Sequence, residues 1–502
     1  MPSTAAATSS QAEIDAAVAD AVSYARAQQI AASGGFSGFG ANLIATSFAA
    51  AGVDAADVRV GPGDPSLQDF LLGEYGSPDW GDDPPTGLLT DYEQATLIAH
   101  AAGLDTARLS AVSNQPAQVA ALWNPAIGSF GDPSANGTAF GILAMRTTPL
   151  PRWALAPAVD FLRRNQHDDG GWTYAAALTP AARANPSEED MTGAAIAALC
   201  EAGVPAYDPA VSAGLDFLRS RLIDSSGGIE YIFSFPTPGL PNADTNAWVV
   251  SGLNACGLDP QSPAWTTSSG KTPVDYLLSL QVESGPGAGG FGYEDDSAAN
   301  FYATQDALRA LAGGAFTARP QSLRTPPAVA AGTPVPHVLA IETAPGNVSI
   351  CKVTAAAGAS LPQVLAAAEA GSQPSGCVTS FSVAGGTVAA INGVAPENAD
   401  EAWLLRLDRG AETVAGGQAV GFGDLVALRL GQNPGTRQGS PGAPGTAGAP
   451  GPAGAPGRGL RGLPGKRGPQ GKPGRNASFK CKVRKGKGKA KRVRCSVQRV
   501  RR

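Results

Sequence analysis

Through the first 315 residues the apolar positions recur at helical spacing, in six copies of one unit. Each unit has an amphipathic helix, a Gly-Gly-aromatic turn, and a second helix of small apolar residues closing at a glycine. The clearest copy reads Phe161-Leu162, then Gln166-His167-Asp168-Asp169-Gly170-Gly171-Trp172, then Asp190-Met191-Thr192, and ends at Gly203. The units fall near 13–52, 66–103, 116–145, 157–203, 211–257 and 274–315. Other turns read Gly34-Gly35-Phe36, Gly128-Ser129-Phe130, Gly227-Gly228-Ile229 and Gly289-Gly290-Phe291, whereas the second unit offers only Asp79-Trp80-Gly81. Asp190 to Gly203, Asp244 to Gly257 and Asn300 to Gly313 are each 13 residues apart. Asp and Asn at the start of such helices are expected as N-caps, with Gly as the C′ residue. Runs such as Ala194-Ala195-Ile196-Ala197-Ala198-Leu199 are apolar all round, the mark of a helix buried on every side. First helices carry Arg163, Arg164, Arg219 and Arg221 for an outer surface. The pattern predicts an α/α toroid of six helical hairpins over 13–315, after a disordered N-terminus at 1–12.

Past the sixth unit the pattern changes three times. Residues 316–336 are rich in Pro and Ala and read as a semi-rigid linker. Over 337–431 the period becomes two, in Val338–Ile341, Val378–Val383 and Leu425–Leu430, with one helix near Leu361–Glu369. This predicts a small β-rich, β-grasp-like domain. Over 437–475 glycine falls on every third residue, slipping once at Gly457-Arg458-Gly459, and only glycine fits the axis of a collagen triple helix. Flexible coil is the alternative for so short a tract. In 476–502, Phe479 with Val497, Cys481 with Cys495 and Val483 with Val493 mirror about Gly488, which predicts a basic β-hairpin tail with a Cys481–Cys495 disulfide. A disordered basic tail is the alternative.

Charge sharpens this division. The formal net charge of −5 hides 19 Lys or Arg and no acid from Arg437 onward, leaving 18 bases against 42 acids in residues 1–436. The tail is therefore expected to meet an anionic cell-wall or polysaccharide surface through Lys482, Arg484, Lys485, Lys487, Lys489, Lys491, Arg492 and Arg494. No run of apolar residues is long enough for a transmembrane helix. The opening Met1-Pro2-Ser3-Thr4-Ala5 lacks the basic-then-apolar pattern of a signal peptide, leaving a cytosolic protein or a secreted one whose export signal lies elsewhere. Six cysteines favour an extracellular or cell-surface location.

The string Gln166-x3-Gly170-Gly171-Trp172 resembles the repeat of squalene–hopene cyclases and protein prenyltransferase β-subunits, which implies their α/α toroid. The cyclases protonate substrate with an Asp-x-Asp-Asp-Thr acid, and the nearest string here is Ser187-Glu188-Glu189-Asp190-Met191-Thr192. Asp190 is the catalytic candidate on that resemblance, and an N-cap on the repeat pattern. The prenyltransferase zinc set has no counterpart, since no Asp-x-Cys string exists and Cys200 and Cys256 read as small apolar core residues. No metal site or certain cofactor is expected. Over 337–431, Ser360-Leu361-Pro362-Gln363-Val364-Leu365, Ala390-Ile391-Asn392-Gly393, Trp403-Leu404-Leu405-Arg406-Leu407 and Gly423-Asp424-Leu425-Val426 resemble the transcobalamin C-terminal-type domain. Cobalamin carriers join a toroid to such a domain and hold the corrinoid between them, which makes a corrinoid one candidate ligand. Cys351 and Cys377 are expected to bridge this domain.

These readings converge on an extracellular, non-catalytic binding protein, trimerised by a collagen-like stalk and attached through its tail. Its ligand cleft would lie between ring and β domain, walled by Trp172, Phe291, Tyr293, Tyr302 and Trp403. The competing readings are a terpene-cyclase-like or polysaccharide-acting enzyme using the toroid cavity, and a structural adhesin. If the Gly-X-Y tract trimerises the chain, the full-length protein sediments as a trimer and a chain ending at residue 436 as a monomer; a monomeric full-length protein would refute the stalk.

Overall fold

The computed structural model describes residues 9–38, 40–80, 90–233, 239–295, 297–371, 377–435, 477–484 and 492–499. The collagen-like tract at 437–475 and the tail lysines 485, 487, 489 and 491 lie outside the described residues. The chain divides into two units, 1–439 and 440–502.

In the first unit six outer helices, α1 (Gln11–Ala27), α3 (Leu67–Tyr75), α5 (Gln115–Ala121), α7 (Ala156–Arg164), α10 (Pro209–Ser220) and α12 (Pro273–Ser279), alternate with six inner ones. The inner helices are α2 (Ile44–Ala50), α4 (Asp91–Ala101), α6 (Ala135–Arg146), α9 (Glu189–Glu201), α11 (Ala243–Ala255) and α13 (Phe301–Leu311), and a short α8 (Pro180–Arg183) sits in the loop before α9. Each inner helix packs on the next in the order α2, α4, α6, α9, α11, α13, and α13 packs back on α2, so the ring is closed. The apolar-all-round pattern is explained by this placement: α6 is buried from Ala135 to Met145, and α9 from Met191 to Leu199.

The Gly-Gly-aromatic turns join neighbouring hairpins. Gly170 takes φ +94°, and a Cβ there would stand 2.6 Å from Ala213 O in the next outer helix, α10. Gln166 Nε2 donates to Gly170 O and to Ala210 O, both at 2.7 Å. The same latch closes the ring: Gln281 Nε2 donates to Gly289 O at 3.0 Å and to Ala17 O of α1 at 2.8 Å, while a Cβ on Gly289 would stand 2.6 Å from Asp20 O. Only glycine tolerates both the left-handed φ and such proximity. The aromatic of the turn then points inward. Trp172 is fully buried, its Nε1 donating to Leu162 O at 2.8 Å, and Phe291 is fully buried too.

Two expectations about helix starts change. Asp190 and Asp244 lie in the first turns of α9 and α11, not at their caps, which are Glu188 and Asn242; Asn300 does cap α13. Residues 9–12, expected to be disordered, are ordered by a capping box between Ser10 and Glu13 and by Ser9 N donating to Asp275 at 2.9 Å.

Short strands β1 (Trp123–Asn124) and β2 (Ser129–Phe130), and β3 (Phe291–Gly292) and β4 (Ala299–Asn300), pair within the ring's turns. Beyond it, β5 (Pro334–Ala344), β6 (Asn347–Ala356), β9 (Glu401–Leu407), β10 (Thr413–Val414) and β11 (Leu425–Gln432) form one sheet in the order β10-β9-β11-β5-β6, with β5 and β11 parallel. A helix, α14 (Leu361–Ala370), packs on β6, and β7 (Phe381–Ala384) and β8 (Thr387–Ile391) form a separate hairpin. The sheet has two buried faces. Val338, Ala340, Val348, Ile350, Leu425 and Ala427 join the core of the ring, whereas Leu339, Ile341, Trp403, Leu405, Val426 and Leu428 face the core that includes Leu361, Val364 and Leu365 of α14. Side chains alternate between faces along a strand, so one run of seven buried residues, Val335–Ile341, serves both cores.

Cys351 and Cys377 form a disulfide, and so do Cys200 and Cys256, which ties the C-terminal turn of α9 to the end of α11. The sequence reading of Cys200 and Cys256 as free core residues is thereby corrected. In the second unit β12 (Ala477–Arg484) and β13 (Arg492–Arg499) pair antiparallel, with Cys481 opposite Cys495, Lys482 opposite Arg494 and Arg484 opposite Arg492.

Gly289→Ala tests the ring-closing latch. The substitution should lower unfolding free energy by about 2–4 kcal/mol, read from denaturant titration, whereas Gly257→Ala, whose Cβ would meet nothing within 4 Å, should cost only the smaller strain of its left-handed φ.

Candidate functional site

The loops after the inner helices, the 316–326 segment and the sheet enclose a cleft. Its two lobes hold about 600 and about 650 Å³ and share His100, Thr147, Thr148, Pro149, Leu323 and Arg409. The first lobe adds Leu104, Pro116, Val338 and Leu425, and is largely apolar. The second adds Arg146, Glu201, Thr317, Arg319 and Arg406. Space of this size suits a small organic molecule.

Three contacts set the cleft's walls. Arg108, in the loop after α4, is 2.9 Å from Asp105, 2.8 Å from Asp408 and 2.7 Å from Asp424, and its Nε donates to Phe422 O at 2.6 Å. Asn114 Nδ2 donates to Pro336 O at 2.9 Å, and Trp123 Nε1 to Val348 O at 3.2 Å. The supposed linker is packed against the ring, not spanning free: Phe316 is buried, Arg324 N donates to Gly103 O at 2.8 Å, and Arg324 pairs with Asp69 at 2.6 Å. Between those anchors Leu323 stands 79% exposed in the cleft.

Burial, followed by the charges of Arg409 and Arg319, lowers the His100 pKa to about 4, so its imidazole is neutral at pH 7. Burial likewise lowers the Arg146 pKa, with Arg152 and Arg409 adding to the effect and Glu201 opposing it. His167 is buried: Nδ1 lies 2.9 Å from Asn185 O, and Nε2 3.2 Å from Thr173 Oγ1. His337 is buried beside Asp424 O.

The opposite end of the ring, at the inner helices' N-termini, is acidic. Burial raises Asp190 to about 6, with Glu188 contributing, and raises Asp244 to about 7, with Asp306 contributing. Tyr231 and Tyr293 lie near these carboxyls, and burial raises both phenols. Between the two ends, Phe140, Trp248 and Phe316 meet edge to face at 5.3–5.6 Å in the ring's interior. Arg309, buried, sits 4.5 Å over Phe316 and pairs with Asp306 at 2.8 Å, and Trp248 Nε1 donates to Asp306 at 3.0 Å.

Of the aromatic walls expected from sequence, Trp172, Phe291 and Trp403 are fully buried and face no cleft. Trp172 and Phe291 fill the joints between hairpins, and Trp403 lies in the sheet's core with Nε1 donating to Val394 O at 3.3 Å. Tyr293 is half-buried at the acidic end, where its carbonyl accepts from Ala243 N, and Tyr302 is exposed on α13. Neither lines the cleft. The cleft residues lacked a motif, because they are scattered over helix ends, the loops between units and the segments beyond the ring. No group of three metal-ligating side chains occurs among the described residues, and none of their helices is long and apolar enough to cross a membrane.

No family model matches the chain, and no curated protein matches it. Among solved structures, haptocorrin in complex with Cbi aligns over 84% of this chain and 97% of its own, at 10% identity and a TM-score of 0.31. Type II terpene cyclase MstE from Scytonema aligns over 60% and 98%, at 14% identity and a TM-score of 0.39. A polysaccharide lyase aligns over 61% and 97%, at 13% identity and a TM-score of 0.40. At such scores the likeness says nothing of activity.

A further buried acid at the acidic end, in the first turn of α4, gives a pH test. Glu93 on α4 is 1% exposed with neither carboxyl oxygen hydrogen-bonded, and burial raises its pKa to about 8. A carboxyl that holds its proton in the folded state and loses it in the unfolded state makes stability fall as pH rises from about 4.5 to 8. Glu93→Gln should match wild type near pH 4.5 and exceed it at pH 8 by on the order of 3 kcal/mol, measured by denaturant unfolding across that range.

Proposed function

We propose that this chain is a binding protein that holds a small molecule in the cleft between ring and sheet domain. The observation that carries the reading is the cleft's construction: ring loops, the 316–326 segment and the sheet each supply a wall, and Leu323 is left 79% exposed within it. Leu323 offers an apolar face to a ligand in the cleft. The filling of the ring's interior by Phe140, Trp248 and Phe316 favours binding outside the ring over a reaction in its cavity.

The strand order β10-β9-β11-β5-β6 with a helix after the second strand supports a β-grasp-type domain. A corrinoid is one candidate ligand, on the resemblance of both domains to cobalamin carriers. The two disulfides support an extracellular location. A collagen-like trimer over 437–475, presenting basic hairpins to an anionic surface, would raise attachment through multivalency. A second reading, an enzyme working at the acidic end, is favoured by Asp190 and Asp244, whose carboxyls keep protons near neutral pH.

Thermal stabilisation by corrinoids, polyprenyl compounds and glycans separates these readings. A ligand of the cleft should bind about fivefold more weakly to Leu323→Ala, from the apolar area lost, while that variant's own melting temperature stays unchanged. Turnover abolished by Asp190→Asn would instead move the function to the acidic end.

A further inference from the structure

We infer that the cleft's ligand carries a compact, multiply charged oxyanion, of the phosphate or diphosphate class, seated among Arg146, Arg319 and Arg409. The inference rests on the cleft being the binding site and adds the chemistry of what it takes. Six of the 18 bases in residues 1–436, a region with 42 acids, line this one cleft. Two of the six are neutralised within the protein: Arg108 by three aspartates, and Arg324 by Asp69. Arg146, Arg319 and Arg409 form no salt bridge among the described residues, and they line the second lobe with Arg406, whose Nε donates to Asp408 O at 3.0 Å. The one carboxylate lining that lobe, Glu201, accepts from Thr317 Oγ1 at 2.5 Å.

Helix C-termini attract cations, and that accounts for part of Arg146, whose Nε donates to Glu201 O at 2.9 Å. It does not account for Arg319 and Arg409, which make no hydrogen bond to a helix end among the described residues. Several like charges gathered around a single carboxylate repel, and an oxyanion bridging them removes that cost while accepting several charge-assisted hydrogen bonds. Thr147 and Thr148 line both lobes, but their hydroxyls are committed to Ala144 O and Met145 O, so the arginines carry the recognition. The apolar first lobe beside them would take the rest of the ligand.

The test uses the full chain and a reporter inside the cleft, because the basic tail binds anions of its own. With three histidines in the sequence, the His100 ring resonance can be assigned by His100→Gln and followed during titration with inorganic pyrophosphate. A saturable shift of the His100 signal is expected, with affinity reduced at least about tenfold in Arg319→Ala/Arg409→Ala and unchanged in Arg163→Ala/Arg219→Ala. Both pairs remove two positive charges, so net charge is matched, and a thermal unfolding curve for each variant checks that it is folded. An unmoved His100 signal, or equal affinity in the first pair of variants, overturns the inference. If an uncharged ligand moves His100 while pyrophosphate does not, the anion is wrong and the cleft stands; if nothing moves it, both fall.

Discussion

The approach of the described turn glycines to the backbone at the next outer helix is the contact on which the ring depends. At Gly170 and at Gly289 a Cβ would stand 2.6 Å from a carbonyl oxygen of the neighbouring hairpin. That proximity lets Gln166 and Gln281 reach across and hold both the turn and the neighbour. It also sends Trp172 and Phe291 inward, where they close the joints. Because the sixth hairpin latches to α1 as the fourth latches to α10, the inner helices have no free edge. Their C-terminal ends then form one face, and the sheet domain docks beside it.

The sheet is held by being shared. Its strands give one face to the ring's core and the other to α14, so the two domains are not separable along an apolar seam. Arg108 with Asp105, Asp408 and Asp424 adds a charged tie at the cleft's edge, partly buried and therefore stronger than an exposed pair. A ligand between the domains would meet walls already in place, which limits the ordering cost of binding.

The hairpins and their order were legible because glycine and period leave direct traces in sequence. The aromatics misled for a physical reason: a large ring that fills a joint and one that walls a cleft satisfy the same composition. Only burial separates Trp172 and Trp403 from a binding role. Asp190 and Asp244 were displaced from the cap by the earlier starts of α9 and α11, in each case a shift of two residues that spacing to the closing glycine does not resolve. The Cys200–Cys256 bridge had a faint signal, since both residues sit at the ends of consecutive inner helices. The cleft had none, because Arg146, Arg319 and Arg409 are far apart in the chain and meet only once the ring closes.

The ring's two ends differ in charge, and the helices explain only half of that difference. The inner helices run parallel, which makes their N-terminal end electropositive and their C-terminal end electronegative. Carboxyls at the first end and guanidiniums at the second are what these dipoles favour. At the acidic end, however, burial outweighs the dipole, and Asp190 and Asp244 are pushed toward the protonated form. At the cleft the opposite excess holds. Dipole effects there fall off within one helical turn and are worth about 0.3–1 kcal/mol each. They do not act as counterions to the arginines that reach the cleft from the 316–326 segment and the sheet. Arg319 and Arg409 line the cleft beside those helix ends without a hydrogen bond to them or a salt bridge among the described residues, so the charge they bring calls for a partner from outside the protein.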